Sequence, residues 1–258
     1  MKVVFLGVGE AFDESLANTS CLVQVCGSNL MLDCGYSVPQ RLWSFAGYKP
    51  DLLDGIFLSH DHHDHTGGLS SVLARMWEEG RTKLLTIFCQ QSFKDWFREM
   101  MEHKYRGLMS RFKYEIKLKV ITGYASMRPW HEDLLFSFEP TVHCAPSSSA
   151  ISISDGVSTM AYTGDGKPQV DTDFYQGLNF LVAEAYNYDF ETFGHSSVLS
   201  AISFAAQRQV KQLALVHMNR KLCRKHLDLV EDAKINPRLI GGSRLEVLIP
   251  RQGNTYGF

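Results

Sequence analysis

The 258-residue sequence has no apolar run long enough to cross a lipid bilayer. Its first residues are also too short an apolar segment for the core of a signal peptide, and they are soon followed by Glu10. They instead predict a first β-strand over residues 2–8. We therefore expect a cytoplasmic protein that makes no contact with a membrane.

Disulfide patterns and strong charge are absent as well. The six cysteines form no Cys-x-x-Cys pair and no framework of a small stapled domain, so free thiols in a reducing compartment are expected. A net charge of −2 provides no general attraction to nucleic acid, which weakens an RNA-substrate interpretation without excluding it. No linker, solenoid repeat or low-complexity segment interrupts the chain. We predict one domain over residues 1–258.

One stretch is unusually rich in histidine, since four of the chain's ten histidines fall within residues 60–65 together with two aspartates. A short strand-type run at residues 55–58 precedes it. A helical pattern follows, with apolar residues at Leu69, Val72, Leu73 and Met76. A strand-to-helix loop can aim several side chains at one point. Imidazole and carboxylate together suit zinc, manganese or iron(II) better than calcium. A solvated loop with incidental histidines is the alternative.

Single polar residues end several apolar strand patterns further along the chain. These residues are His143, Asp165, Glu184 and His217. An α/β protein places its chemistry at such strand ends, although each residue alone could equally be a cap or a satisfied core residue. His195 precedes an alanine-rich helix, of which Ser196 is the predicted N-cap. A hairpin with Gly27-Ser28 as its turn is predicted between two early strands.

The motif His60-x-His62-x-Asp64-His65 resembles the HxHxDH signature of the metallo-β-lactamase superfamily. The later polar residues follow in the order of that superfamily's remaining ligands. The resemblance implies an α/β fold of the four-layer αββα sandwich type, with metals between its two sheets. It implies one metal held by His60, His62 and His143, a second held by Asp64, His65 and His217, and Asp165 as the bridge between them.

Other segments resemble the ribonuclease Z branch, which processes tRNA 3′ ends. They are Leu6-Gly7-x-Gly9 before Asn18-Thr19-Ser20, Leu32-Asp33-Cys34-Gly35, and Glu184-Ala185 before Gly194-His195-Ser196. In that branch Asp33 braces the metal loop, although an aspartate that caps a strand end fits the spacing equally well. The chain departs from the branch after Gly35, after Asp165 and after His217, and we find no glycine/proline-rich insertion of the kind that clamps tRNA.

The resemblance implies two divalent metal ions, with zinc as the first choice and manganese or iron(II) as alternatives. Their charge lowers the pKa of a bridging water toward about 7, and the resulting hydroxide is the expected nucleophile. The catalytic candidates are Asp64, His195 and Glu184, with His195 oriented by Glu184 to protonate the leaving alkoxide.

We therefore predict a metal-dependent phosphodiesterase. Its substrate would be a nucleotide, an RNA 3′ end or another small phosphodiester, with a homodimer compatible with the sequence. Hydrolysis of a carboxylic ester, thioester or lactone is the alternative, because it needs the same metals. A metal-binding scaffold without turnover is the weaker alternative, because Asp165 and the pair of His195 with Glu184 are all present.

Overall fold

Two seven-stranded β-sheets lie at the centre of the computed structural model, which describes residues 1–45, 47, 49–225, 227–234 and 244–258. The first sheet contains β1 (Lys2–Gly7), β2 (Ser20–Val25), β3 (Ser28–Leu32), β4 (Gly55–Phe57), β5 (Leu85–Cys89), β6 (Ile116–Val120) and β14 (Thr255–Gly257). Their order is β14-β1-β2-β3-β4-β5-β6. The pairs from β3 to β6 are parallel, and the others are antiparallel.

The second sheet contains β7 (Ala125–Met127), β8 (Leu135–Pro140), β9 (Ser149–Ser154), β10 (Thr159–Tyr162), β11 (Phe180–Glu184), β12 (Gln212–Val216) and β13 (Glu246–Leu248). Their order is β13-β12-β11-β10-β9-β8-β7, with parallel pairing from β10 to β13. Each sheet therefore has an antiparallel half and a parallel half.

Helices cover the outer face of each sheet. The described helices are α1 (Val38–Phe45), α2 (His63–Thr66), α3 (Leu69–Glu78), α4 (Gln91–Lys104), α5 (Val198–Gln207), α6 (Arg220–Lys225), α7 (Leu227–Lys234) and a 3₁₀ turn at Met109–Arg111. Helices α1, α3 and α4 pack on the first sheet, and α5 and α7 pack on the second. The predicted four-layer αββα sandwich is confirmed.

Three apolar layers hold these elements together, and β5 shows how the sequence produces them. All five residues of β5 are buried, but Phe88 faces the other sheet, whereas Leu85 and Ile87 face the helices. Alternate side chains of a strand point to opposite faces, so a strand between two apolar layers is apolar throughout. Burying each such side chain contributes about 1.5–3 kcal/mol.

Two local predictions differ from the structure by one residue. The turn between β2 and β3 is Cys26-Gly27 and not Gly27-Ser28, with φ of +47° and +74°. The N-cap of α5 is Ser197 and not Ser196, and its hydroxyl accepts the Ser200 backbone N–H. Within the described residues, no helix is long and apolar enough to span a bilayer.

Candidate metal centre

The histidine-rich loop begins directly after β4 and is fastened to the end of β3 by one buried carboxylate. Asp33 Oδ1 accepts the backbone N–H of Ser59 at 2.7 Å. Its Oδ2 accepts the Ser59 hydroxyl at 2.8 Å, His65 Nδ1–H at 2.7 Å and the Tyr162 hydroxyl at 2.7 Å. A hydrogen bond from one imidazole nitrogen fixes the tautomer and turns the other nitrogen into a ligand. Asp33 therefore directs His65 Nε2 into the site.

Close backbone packing holds the same loop from a second side. The Cys34 N–H donates to the His65 carbonyl at 2.7 Å, and the Gly68 N–H donates to the Cys34 carbonyl at 2.8 Å. A Cβ atom on Gly35 would lie only 2.0 Å from the carbonyl oxygen of Asp64. Glycine is thus required at position 35, because any side chain would push the two loops apart.

Three imidazoles and one carboxylate form the first donor group. Its members are His60, His62, His143 and Asp165, whose donor atoms lie within 4.8 Å of one another. His143 Nε2 lies 3.3 Å from His62 Nδ1 and 3.5 Å from Asp165 Oδ2. On the opposite side of its ring, His143 Nδ1 lies 3.3 Å from the Gly194 carbonyl. The group joins the loop after β4 to loops that follow β8 and β10.

A second donor group lies beside the first and shares Asp165 with it. Its members are Asp64, His65, Asp165 and His217, again with donor atoms within 4.8 Å. Asp64 Oδ2 lies 3.1 Å from His65 Nε2 and 3.3 Å from His217 Nε2. His217 Nδ1 lies 3.0 Å from Asp165 Oδ1. The structure therefore brings together all seven residues that the sequence predicts as ligands.

The donor atoms themselves fit divalent metals. Four buried atoms of these ligands lie close to other ligand atoms but make no hydrogen bond of suitable angle among the described residues: His60 Nε2, His65 Nε2, His217 Nδ1 and Asp165 Oδ1. Buried polar atoms are rarely left without partners in proteins, so an unsatisfied cluster points to a bound ion. Imidazole nitrogen and carboxylate oxygen are ligands that zinc and other transition metals accept.

The charge states of three of the ligands suit metal binding, whereas two other ligands would have to lose a proton to a metal. Burial and the neighbouring imidazoles lower the pKa of His60, and burial lowers that of His143. Burial alone would raise the pKa of Asp64, but His65 and His217 hold it well below its usual range. Burial alone would lower the pKa of His65 and His217, but the neighbouring carboxylates raise the pKa of both. Neutral imidazole and ionised carboxylate are the forms that ligate metals.

A third group adjoins the other two and contains the predicted acid. His195 Nδ1 lies 3.1 Å from Asp165 Oδ1 and 3.7 Å from Glu184 Oε2. Glu184 Oε1 accepts the backbone N–H of Ser196. Burial alone would lower the pKa of His195, but the neighbouring carboxylates of Asp165 and Glu184 raise it to about 10. The imidazole is thus protonated at neutral pH, in the form that donates a proton.

All three groups lie along a cavity of about 400 Å³. Several residues that line this cavity were not predicted from the sequence. Tyr186 stacks on His195, with ring centroids 4.9 Å apart and planes 28° apart. Tyr36 stacks on His63, which belongs to neither donor group. Glu10 and Phe12 line another side. Nothing in the sequence near these residues distinguishes them from ordinary loop residues.

The chain resembles proteins of two kinds in sequence. The sequence profile of the family described as Anti-Pycsar protein Apyc1 matches residues 1–223. One Apyc1, from Bacillus phage 010DV004, is 28% identical over 237 residues, which cover 84% of this chain and 88% of that relative. The ribonuclease Z of Saccharolobus solfataricus is 25% identical over 297 aligned residues, covering 95% of this chain and 96% of that relative.

A solved structure shows the same fold. The metallo-β-lactamase fold protein YhfI from Bacillus subtilis matches with a TM-score of 0.79 and 23% identity, over 99% of this chain and 98% of that chain. The predicted metallo-β-lactamase fold is thereby confirmed.

Proposed function

The chain belongs to the Anti-Pycsar protein Apyc1 family, and we propose that it hydrolyses small phosphodiesters such as nucleotides. At a coarser level, the chain is a metal-dependent hydrolase of the metallo-β-lactamase fold. The proposal of phosphodiester hydrolysis rests on the position of Asp165. Its carboxylate belongs to both donor groups and also contacts the protonated His195. This arrangement sets a proton donor directly beside the metal centre.

We assign the two donor groups as two metal sites. One would be formed by His60, His62 and His143, the other by Asp64, His65 and His217, with Asp165 shared. Zinc is our first choice among the divalent metals, because the donors are imidazoles and carboxylates. When bound, such a metal pair supplies an activated water and neutralises charge on the phosphoryl oxygens.

The protein's own residues supply the proton and its control. His195 carries the proton on an imidazole whose Nδ1 edge faces Asp165 and Glu184, so Nε2 lies on the opposite side of the ring. The side chain is 18% exposed and lines the cavity, which lets Nε2 reach a leaving oxygen. An alkoxide is a poor leaving group unless it is protonated, so this acid suits a phosphodiester of an alcohol better than a thioester, whose thiolate departs without a proton.

The size of the cavity favours a small substrate. About 400 Å³ lies in the range of small-molecule sites, and the sequence has no insertion that would clamp a tRNA. An RNA 3′ end remains the second candidate, because a relative is named ribonuclease Z.

The test is a comparison of substrates on the metal-loaded protein. Bis-p-nitrophenyl phosphate, a cyclic and a linear nucleotide diester, and an RNA with a 3′ trailer are assayed beside a lactone and a thioester. We expect turnover of the small diesters. Turnover of the lactone or thioester alone would contradict the proposal. Asp165→Asn should abolish the activity, and Asp171→Asn, at an exposed position six residues away, should retain it.

A further inference from the structure

The loop after β1 places a third carboxylate on the wall of the cavity. Glu10 is 1% exposed and lines the cavity beside the metal ligands. Its Oε2 accepts the backbone N–H of Phe12 at 2.8 Å, and its Oε1 accepts Nη1–H of Arg220, the first residue of α6. Burying a carboxylate lowers stability unless a positive group pairs with it. The buried Glu10 therefore requires the guanidinium of Arg220 beside it.

Both carboxylates and histidines lie along the cavity wall. Asp64, Asp165 and Glu10 line it, and no lysine or arginine does so in the part of the chain that the structure describes. A phosphodiester carries a negative charge and would be repelled by unpaired carboxylates. The guanidinium of Arg220 is bound to this wall through Glu10 and adds a positive charge to that of the protonated His195.

Arg220 contacts two residues that line the cavity, Glu10 and Phe12. Its side chain is 32% exposed, and its guanidinium carbon lies 5.9 Å from the ring centre of Phe12, a cavity-lining residue that is 71% exposed. Its charge also affects Tyr186, another residue that lines the cavity. Burial and the charge of Glu10 raise the pKa of Tyr186, and the charge of Arg220 opposes them.

Most of the hydrogen-bonding capacity of Arg220 remains available. A guanidinium has five N–H donors, and Glu10 is the side-chain acceptor found for it among the described residues. One nitrogen of the guanidinium, Nη1, donates to Glu10, which is itself buried. Arginine is well suited to phosphate recognition, because its planar set of N–H donors matches phosphate oxygens.

We propose that Arg220, bound to Glu10, binds a phosphoryl oxygen of the substrate beside Glu10 and Phe12 of the metal cavity. The inference rests on the proposed function and deepens it, since it names a residue that selects anionic substrates over neutral esters. The loop after His217 departs from the ribonuclease Z pattern at this position.

A purely structural role for the pair predicts different mutant behaviour. If Arg220 only neutralises Glu10, then Arg220→Gln weakens binding by leaving a buried charge unpaired. Removing both charges in Glu10→Gln/Arg220→Gln would then restore binding. If Arg220 contacts the phosphate, the double variant stays weak, because the donor is still missing.

The experiment measures the affinity of the metal-loaded protein for inorganic phosphate by isothermal titration calorimetry. We expect Kd to rise about 10- to 100-fold in Arg220→Gln and in the double variant, as for loss of a charge-assisted hydrogen bond. Arg208→Gln is the matched control and should bind like the wild type, since Arg208 lies over Phe204, which lines a different cavity.

Three results would overturn the inference. They are an unchanged Kd in Arg220→Gln, wild-type affinity in the double variant, or a wild-type protein that does not bind phosphate. Binding is measured without turnover, and so a wild type that binds phosphate but hydrolyses no diester would count against the proposed function alone.

Discussion

His195 differs from the seven histidines and aspartates of the donor groups because its Nδ1 faces two carboxylates while its side chain remains partly exposed. Our account makes it a proton donor and not a metal ligand. His195→Ala should therefore lower kcat about 10²- to 10⁴-fold for diesters with alkyl alcohol leaving groups. The loss should be much smaller for a p-nitrophenyl diester, whose leaving group departs without a proton. Steady-state kinetics on both substrates measure the difference.

The controls for this prediction separate proton transfer from general damage. Metal content should be unchanged in His195→Ala, and Glu184→Gln should show the same selectivity with a smaller loss. His131→Ala should have no effect, because His131 contacts Ser28 outside the site. Equal losses on good and poor leaving groups would mean that His195 binds substrate or shapes the loop.

Asp33 supports the site without facing the cavity. Its two oxygens accept four hydrogen bonds, and an asparagine has only one oxygen to accept them. We expect Asp33→Asn to weaken zinc binding about 10- to 100-fold, measured by competition with a chelating dye. Asp54→Asn, which also replaces an acceptor of a backbone N–H, should leave zinc affinity unchanged. Wild-type affinity in Asp33→Asn would refute the bracing role.

The sequence reveals some of these residues and conceals others for a physical reason. Clustered imidazoles are rare and have few structural uses, so His60 and its neighbours can be recognised by type and spacing. Tyr162 and Ser59 are common residue types, and their hydrogen bonds to Asp33 span 129 and 26 positions. Arg220 and Glu10 are 210 positions apart. Only folding brings such partners together.

Among the elements, the hairpin of β2 and β3 shows how packing decides a register. A turn at Gly27-Ser28 and one at Cys26-Gly27 are both compatible with the local sequence. In the structure Val25 pairs with Ser28, so Val23, Val25, Leu30 and Leu32 all face the layer between the sheets. A slip of one residue would turn one strand's apolar side chains to the wrong face. This preference outweighs the cost of a non-glycine residue, Cys26, at positive φ.

Helix α5 follows His195, and its start depends on a hydroxyl cap. Ser197 and Ser200 form reciprocal side-chain-to-backbone hydrogen bonds, whereas the Ser196 backbone N–H is bound by Glu184. Because the cap satisfies a helix N–H, Ser197→Ala should lower the free energy of unfolding by about 1 kcal/mol in urea denaturation. Ser203→Ala, further along α5, should change it by less than about 0.5 kcal/mol. Equal effects of the two changes would show that the cap contributes nothing measurable.

At the scale of the whole molecule, the site joins the two sheets. The loop after β4 of the first sheet provides His60, His62, Asp64 and His65, and loops of the second sheet provide the other donors. A metal that binds both sheets stabilises the folded state by mass action, by about 2.7 kcal/mol at a free concentration 100-fold above Kd. Chelation should therefore lower Tm by several degrees in differential scanning fluorimetry. The Tm of Asp165→Asn should fall less on chelation, because the shared ligand is missing. A wild-type Tm that chelator does not change would contradict the stabilisation of the fold by metal.

The layer architecture could be predicted from the sequence, but its edges could not. Buried strands such as β4 and β5 are apolar runs beside recognisable motifs. The edge strands β7, β13 and β14 have three residues each, too few to show a period of two. Strand β14 pairs with β1 from the opposite end of the chain. Such strands are defined by their partners, and their own sequences carry little signal.

The central claim is that this fold holds two metal ions beside a proton donor, and metal content tests it most directly. Elemental analysis of protein purified without chelator should give about two divalent ions per chain, because each donor group has three ligands of its own and shares Asp165. His60→Ala should contain about one ion, and His195→Ala should still contain two. A protein that takes up only traces of metal, even after reconstitution with zinc or manganese, would contradict the account.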